Sequence, residues 1–419
     1  MSTLFLIAIV AALLVLRQPL LVILLAAIAY AQMTWGSGNL TWIIEDMFVS
    51  LDKELILAIP MFMLCGGVMT KGSTARRLTN VARALVGHLP GGLGVAGILS
   101  SAIFAAISGS SIVTMLAIGS VIYPAMREAG YTKKFALGTV MSGGTLGIII
   151  PPSIPLILYG LVTETSIVDL FRAGVGPGLL LVGLFAVYSV VVNRHMKTER
   201  FSLSGLISAL RAGIWALMMP VILLGGIYSG FFSPTEAAAV ALVYAVIVEL
   251  GVHRELTFSD LKGVVLEAAK LGGALFPLIA VALSLNLILI ENRVPDQMVD
   301  LVNGWISSPV TFIIMVNLLL LAVGAFMTTA EAILILGPIL APIAVFYGFD
   351  KVVFGIIMIV NLEIGLLTPP VGLNLIVAMS AFKEKFGLLV RAAIPFILLM
   401  ILALALISWL PEISLFMVR

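Results

Sequence analysis

At 419 residues, 61% of them hydrophobic and only 11% charged, the chain has too little polar surface to cover a water-soluble core. The net charge of +2 identifies no partner by itself, and no nucleic-acid partner is expected. One cysteine, Cys65, excludes an internal disulfide, and the scattered His88, His195 and His253 lie next to basic stretches without the spacing of a structural metal site.

In chain order, residues 1–16 are apolar but lack a basic leader and a small-residue cleavage site, so they are predicted as a retained span within an N-terminal scaffold, 1–52. A first repeat is predicted over 53–173, with a span beginning near Pro60, an amphipathic arm at 74–88, a re-entrant hairpin at 93–128 and a broken helix at 134–162. Plainer scaffold spans follow over 174–269; apolar runs such as 174–192, 212–228 and 393–410 reach or approach the roughly 20 residues that cross about 30 Å of hydrocarbon. A second repeat over 270–380 carries an arm at 292–305, a hairpin at 309–346 and a broken helix at 352–378, and 381–419 holds a last span. The predicted fold class is an all-α, multi-spanning integral membrane protein with an inverted repeat, two re-entrant hairpins and two broken helices.

The repeat rests on residues that dictate backbone shape. An offset of 218 aligns Gly119 with Gly337, Pro124 with Pro342, Gly130 with Gly348, Lys133 with Lys351, Gly147 with Gly365, Pro151 with Pro369 and Pro152 with Pro370, without a gap. One residue of slip extends the match to Pro60 and Pro277. If both hairpins enter and leave on one side and the N-terminus lies outside, one face collects 18 of the 23 Lys and Arg residues, among them Arg17, Arg76, Arg77, Lys197 and Arg200. Lys53, Arg172, Arg293, Lys351 and Arg419 remain on the other face, so the first is cytoplasmic by the positive-inside rule. In this threading the two hairpins enter from opposite sides, which makes the repeat inverted, as in many secondary transporters.

The polar groups inside these spans mark where chemistry can sit. Ser108-Gly109-Ser110-Ser111 interrupts the first hairpin, and Met327-Thr328-Thr329 followed by Glu331 is its counterpart. One such cluster often only bonds back to its own helix; two at equivalent positions point to a shared purpose. Further on, Pro151-Pro152 and Pro369-Pro370 each remove two amide donors and must break a helix, and broken backbone at membrane depth is tolerated where it lines a cavity or is buried in protein. The freed carbonyls and hydroxyls suit a desolvated hard cation, and half-helix N-termini suit an anionic substrate, with sodium plus an organic anion as the natural pair. A first sodium site is predicted from Ser110, Ser111, Gly147, Ile150 and Ser153, and a second from Gly324, Thr328, Thr329, Gly365, Thr368 and Val371. The substrate lies between them, with Ser108, Gly109, Pro151, Pro152, Pro369, Pro370 and Asn374 as candidate contacts. Glu331 and Glu363 either compensate a cation, carry a proton, or face a solvated cavity without a special role.

Other features are structural. Gly91-Gly92-Leu93-Gly94 follows no strand and has no lysine partner, so it is not a phosphate loop. Trp35, Trp42 and Trp305 fit an interfacial aromatic belt, and the basic stretch 194–200 fits a topology anchor near anionic lipid.

The run IFAAISGSSIVTMLAIGSVIYPAMREAGYTKKFALGTVMSGGTLGIIIPPSIPLILYG at 103–160, with EIGLLTPPVGLNL at 363–375, resembles the large membrane subunit of the tripartite ATP-independent periplasmic (TRAP) transporters, the DctM type. The likeness covers nearly the whole chain. It implies a sodium-coupled importer of organic anions such as C4-dicarboxylates, sialic acid or other sugar acids, located in the bacterial inner membrane and working as an elevator. It also implies two partners, a small four-helix membrane subunit and a periplasmic substrate-binding protein, and no cofactor beyond Na+ as coupling ion. The chain has no nucleotide motif, in keeping with that family. A stand-alone sodium–carboxylate transporter of the same plan is the nearest rival, followed by an ion channel. An intramembrane enzyme is weakest, because no GxSxG, HExxH or paired catalytic acids occur in the spans.

Overall fold

The computed structural model describes residues 2–419 except 17, 37, 40, 197, 199 and 307, so Arg17 and Lys197 of the charge count lie outside the described residues. Among the described residues the regular structure is helical throughout, with no strand. Eight of the described helices are long and apolar enough to cross a membrane: Glu54–Lys71, Lys133–Thr163, Ile167–Val192, Leu203–Tyr228, Pro234–Val252, Phe258–Glu291, Thr329–Phe346 and Phe386–Trp409.

Polar caps decide where many of them begin. Ser166 accepts from the Asp169 amide, Ser202 from Gly205, and Thr132 from Phe135, each satisfying an amide that the first turn leaves without a partner. Ser233 with Glu236 and Thr257 with Asp260 form reciprocal capping boxes. The Thr257 cap starts one helix that runs from Phe258 to Glu291. Pro277 therefore lies in a helix interior, whereas Pro60 sits in the first turn of Ala58–Lys71. A span beginning at Pro277 is thus corrected: Pro277 removes a single amide donor, and a 34-residue helix capped at its start tolerates one lost bond in its interior. The boundaries drawn at 173/174 and 269/270 both fall inside continuous helices, Ile167–Val192 and Phe258–Glu291.

The sequence repeat reappears in the backbone. Gly130 and Gly348 both adopt left-handed conformations, with φ of +88° and +86°, and Lys133 and Lys351 both open the helices that follow. Lys133–Ile149 is continued after a break by Ile154–Thr163, and Lys351–Leu366 by Leu373–Phe382; the two continuations have 10 residues each. Both double-proline bonds, Pro151-Pro152 and Pro369-Pro370, are cis. Before each break stands a helix pair, Gly92–Ser108 with Ser111–Glu128 and Pro309–Gly324 with Thr329–Phe346, whose members pack on one another.

The broken helices lie at the centre. In Lys133–Thr163, 89% of the most apolar stretch is buried within the protein, against 22% in Leu203–Tyr228, whose outer face, including Trp215 and Val221, is left for lipid. Phe386–Trp409 packs on both Lys133–Ile149 and Lys351–Leu366, while Leu203–Tyr228 and Pro234–Val246 pack away from the breaks, on Thr74–Val86 and Ala58–Lys71 respectively. The amphipathic arms form as Thr74–Val86 and Val294–Asn303. The first buries Ala75, Leu78, Val81 and Ala82 on one face.

That first arm has an anchor which the sequence reading did not find. Glu249 is fully buried and accepts from the Ser73 amide (3.1 Å), the Ser73 hydroxyl (3.3 Å) and the Thr74 hydroxyl (2.5 Å). Its carboxylate thus satisfies donors at the N-terminal end of the arm, where a negative charge is also favoured by the helix dipole. His253 lies 3.4 Å from the same carboxylate, and Arg76 and Arg77 pair with Glu255 at 2.6 and 3.1 Å.

Candidate functional site: two tip-and-break junctions around one cavity

The first junction forms where the tip between Gly92–Ser108 and Ser111–Glu128 meets the first break. Gly109 at the tip is left-handed, φ +58°, and its carbonyl accepts from the Ile154 amide just past the break, at 3.4 Å. Gly147 is required by the close approach: a Cβ there would collide with the Ser110 carbonyl oxygen and lie 2.6 Å from the Thr114 hydroxyl. Ser108 and Thr114 hydroxyls share a hydrogen bond of 2.6 Å. Ser153 staples the break, donating to the Ile148 carbonyl (2.6 Å) and accepting from the Leu156 amide (3.3 Å). The Ile150 side chain packs at Gly178, and its backbone carbonyl is the oxygen this residue can offer the site.

The second junction repeats this geometry with different residues. The Ala325 carbonyl accepts from the Gly372 amide at 3.2 Å, and Gly372 is exactly the repeat counterpart of Ile154. Gly365, the counterpart of Gly147, lies so close to the tip that a Cβ would sit 2.5 Å from Gly324 backbone carbon and 2.9 Å from the Ala325 nitrogen. Thr328 caps the following helix in a reciprocal box, accepting from the Glu331 amide (3.3 Å) while its own amide donates to the Glu331 carboxylate (2.8 Å). Thr368 donates back to the Ile364 carbonyl at 2.7 Å.

Two cavities lie at these junctions. One of about 80 Å³ is lined by Gly324, Thr328, Glu331 and Val371 with Ala325 and Leu373 among its other walls. It brings together three of the six residues predicted for the second sodium site; Thr329, Gly365 and Thr368 stand outside its lining. The second, of about 350 Å³, lies between the two tips and is lined by Gly109, Ser110, Ser111, Thr328, Thr329, Glu331 and Glu363, with Leu271, Leu275 and Leu278 of the long helix forming an apolar wall. Among the described residues no Lys, Arg or His lines it.

Of the residues predicted to contact substrate, Gly109 lines this central cavity. Ser108, Pro151 and Pro152 are buried beside the first junction without lining either cavity, and Pro369 and Pro370 are exposed. Asn374 is buried and reaches across the repeats, donating to the Ser111 hydroxyl at 2.7 Å. Two further contacts join the halves: Tyr159 donates to the Lys351 carbonyl at 2.8 Å, and Glu384 takes both the Lys133 ammonium (2.7 Å) and the Tyr123 hydroxyl (3.1 Å). Thr114 is a site neighbour missed in the sequence, since it lies one helical turn beyond the conspicuous serine run; its i, i+3 spacing from Ser111 was the available signal.

The sequence matches, over residues 7–413, the family described as "Tripartite ATP-independent periplasmic transporter, DctM component". It is 44% identical to the C4-dicarboxylate TRAP transporter large permease protein DctM of Pseudomonas aeruginosa over 372 residues, covering 88% of this chain and 87% of that one. It is 39% identical to the protein of the same name from Rhodobacter capsulatus over 435 residues, covering 99% and 98%. Among solved structures, the Alcanivorax borkumensis YdaH transporter superposes with a TM-score of 0.67 at 14% identity, covering 97% of this chain and 98% of that one, a likeness of fold. Family, length of match and architecture agree, and the chain belongs to the DctM-type large permease subunits of the tripartite ATP-independent periplasmic transporters.

Proposed function

We propose that this permease imports an organic anion, a C4-dicarboxylate or a related acid such as a sugar acid, and that an inward sodium gradient drives it. The observation that carries this reading is the duplicated junction: a tip carbonyl bonded to the first amide after each break, at Gly109–Ile154 and Ala325–Gly372, on either side of a cavity lined by two carboxylates and, among the described residues, no basic side chain. An anion entering such a cavity meets repulsion unless cations enter with it, which is what a symporter requires. Beside the two carboxylates, the oxygens at hand are carbonyls and hydroxyls, the donors that replace the hydration shell of a hard monovalent ion. The cavity of about 80 Å³ at the second junction has room for a dehydrated ion, and Ser110 and Ser111 with the carbonyls around Gly147 and Ile150 supply the equivalent place at the first.

In this mechanism each sodium ion ties a hairpin tip to a break, and the two loaded junctions complete the walls around the substrate. The pairs Gly92–Ser108/Ser111–Glu128 and Pro309–Gly324/Thr329–Phe346 are re-entrant, entering from opposite sides, and move with the broken helices as one body. Leu203–Tyr228 and Pro234–Val252 belong to a static frame, joined to the moving body by the two arms. A small four-helix membrane subunit enlarges the frame and a periplasmic binding protein delivers the anion, the arrangement implied by the family. The chain is a multi-pass inner-membrane protein, with its N-terminus in the periplasm and its basic loops in the cytoplasm.

Ser110→Ala and Thr368→Ala test the assignment. Each is expected to raise the sodium concentration needed for half-maximal uptake while leaving purification yield and melting temperature near wild type. Sodium activation identical to wild type in both variants overturns the two-site reading.

A further inference from the structure

Glu363 is fully buried, and neither of its carboxylate oxygens has a hydrogen-bond partner. The Asn374 side-chain oxygen is also buried without a partner, while its nitrogen donates to the Ser111 hydroxyl at 2.7 Å. Ser111 in turn lies within electrostatic reach of Glu363, and both line the central cavity. Glu363 and Ser111 thus share the cavity wall across the two repeats, with Asn374 bonded to Ser111, and three acceptor oxygens on Glu363 and Asn374 are unsatisfied.

We propose that Glu363, Asn374 and Ser111 form a third cation site, which takes one monovalent hard cation such as sodium on the wall of the central cavity.

An ionised carboxylate without donors in a low-dielectric interior costs several kcal/mol unless an opposite charge accompanies it. Among the described residues no basic side chain lines the cavity and no ion pair involves Glu363, so the carboxyl group is accommodated either by a proton or by a cation from outside the chain, and the acceptor oxygens left open on both Glu363 and Asn374 favour the cation. The donor set of carboxylate, amide and hydroxyl oxygens selects a hard ion. One carboxylate, with no cluster of three His, Cys, Asp or Glu side chains among the described residues, matches a single positive charge better than a divalent one.

The site shares Ser111 with the first sodium site, but the internal repeat shows that its other two groups have no equivalent in the duplicated pair. At the offset of 218, the counterparts of Glu363 and Asn374 are Thr145 and Leu156, which cannot build a charged site. The Thr145 hydroxyl is already donated to the Ser142 carbonyl at 2.7 Å. Ser111 has the hydroxyl-bearing counterpart Thr329. The third site is therefore single and breaks the symmetry. Its role rests on the sodium-coupled reading: a bound ion turns the Glu363 wall from one that repels an anionic substrate into one that attracts it.

The test counts bound radioactive sodium at saturation on the full permease complex in lipid nanodiscs, for wild type and Glu363→Gln, a change that keeps the shape and removes the charge. The expected result is three ions per chain in wild type and two in the variant, together with a smaller sodium-induced rise in melting temperature. Folding is checked by melting without sodium, where Glu363→Gln is expected to equal or exceed wild type because an uncompensated buried charge is gone. Two ions per chain in wild type, or equal ion counts in wild type and variant, overturn the third site alone. No sodium bound to wild type overturns the coupling mechanism and this site together.

Discussion

Gly365→Ala probes the second junction where the tip leaves no slack. The new methyl carbon would lie 2.5 Å from Gly324 carbon atoms and 2.9 Å from the Ala325 nitrogen, all backbone, so no rotamer change relieves the contact. Ordinary carbon contacts lie at about 3.5–4.0 Å, so the tip must retreat by about 1 Å. Overpacking of this kind costs about 1–3 kcal/mol. Retreat also widens the cavity of about 80 Å³ that Gly324, Thr328 and Val371 line, separating the oxygens that would hold an ion there. If the cost falls on the ion-bound state, sodium activation weakens by roughly 5- to 150-fold at 25 °C. The assay is substrate uptake into proteoliposomes over a sodium titration. Gly183→Ala is the matched control, because a Cβ at Gly183 meets nothing within 4 Å. A Gly365→Ala protein that folds and keeps wild-type sodium activation would refute the argument that this glycine sets the junction.

Further expectations follow from the arm, the tip and the threading. Glu249→Ala strands the Ser73 amide and the Thr74 hydroxyl in a buried place, at about 1–3 kcal/mol per group, so its melting temperature should fall clearly, with Glu249→Gln falling less. Thr328→Ala loses the N-cap of Thr329–Phe346, worth about 1 kcal/mol, and Thr328→Ser should restore both stability and sodium activation. A cysteine replacing Arg200 in a cysteine-free background should react with membrane-impermeant reagent from the cytoplasmic side alone; labelling from the periplasm contradicts the threading.

The repeat was legible because it is written in glycine and proline. Gly130 and Gly348 share a left-handed turn, and Gly147 and Gly365 share a close approach that no side chain permits, so the same residue type recurs at each place. The second tip was harder to read, for a geometric reason. Two residues separate Ser108 from Ser111, but four separate Gly324 from Thr329, so the tip carbonyls at Gly109 and Ala325 fall out of the offset that holds everywhere after them. Pro277 misled because a proline marks a helix start only when no earlier cap has begun one, and Thr257 had. Glu249 bonds to a partner 176 residues away from a stretch that shows no motif, and Asn374, though it stands in the second break motif, bonds to a partner 263 residues away that the motif does not name. Such contacts are products of packing, and local sequence carries no trace of them.

The central claim is that sodium binding at the two junctions drives anion uptake. Its most direct test is uptake of a labelled C4-dicarboxylate into proteoliposomes containing this chain and its small subunit, with a binding protein supplied outside. The account predicts accumulation against the substrate gradient when sodium is high outside, collapse when sodium is equal on both sides, and no accumulation from a proton gradient alone. Concentrative uptake that persists without any sodium gradient, under an imposed proton gradient, would contradict it.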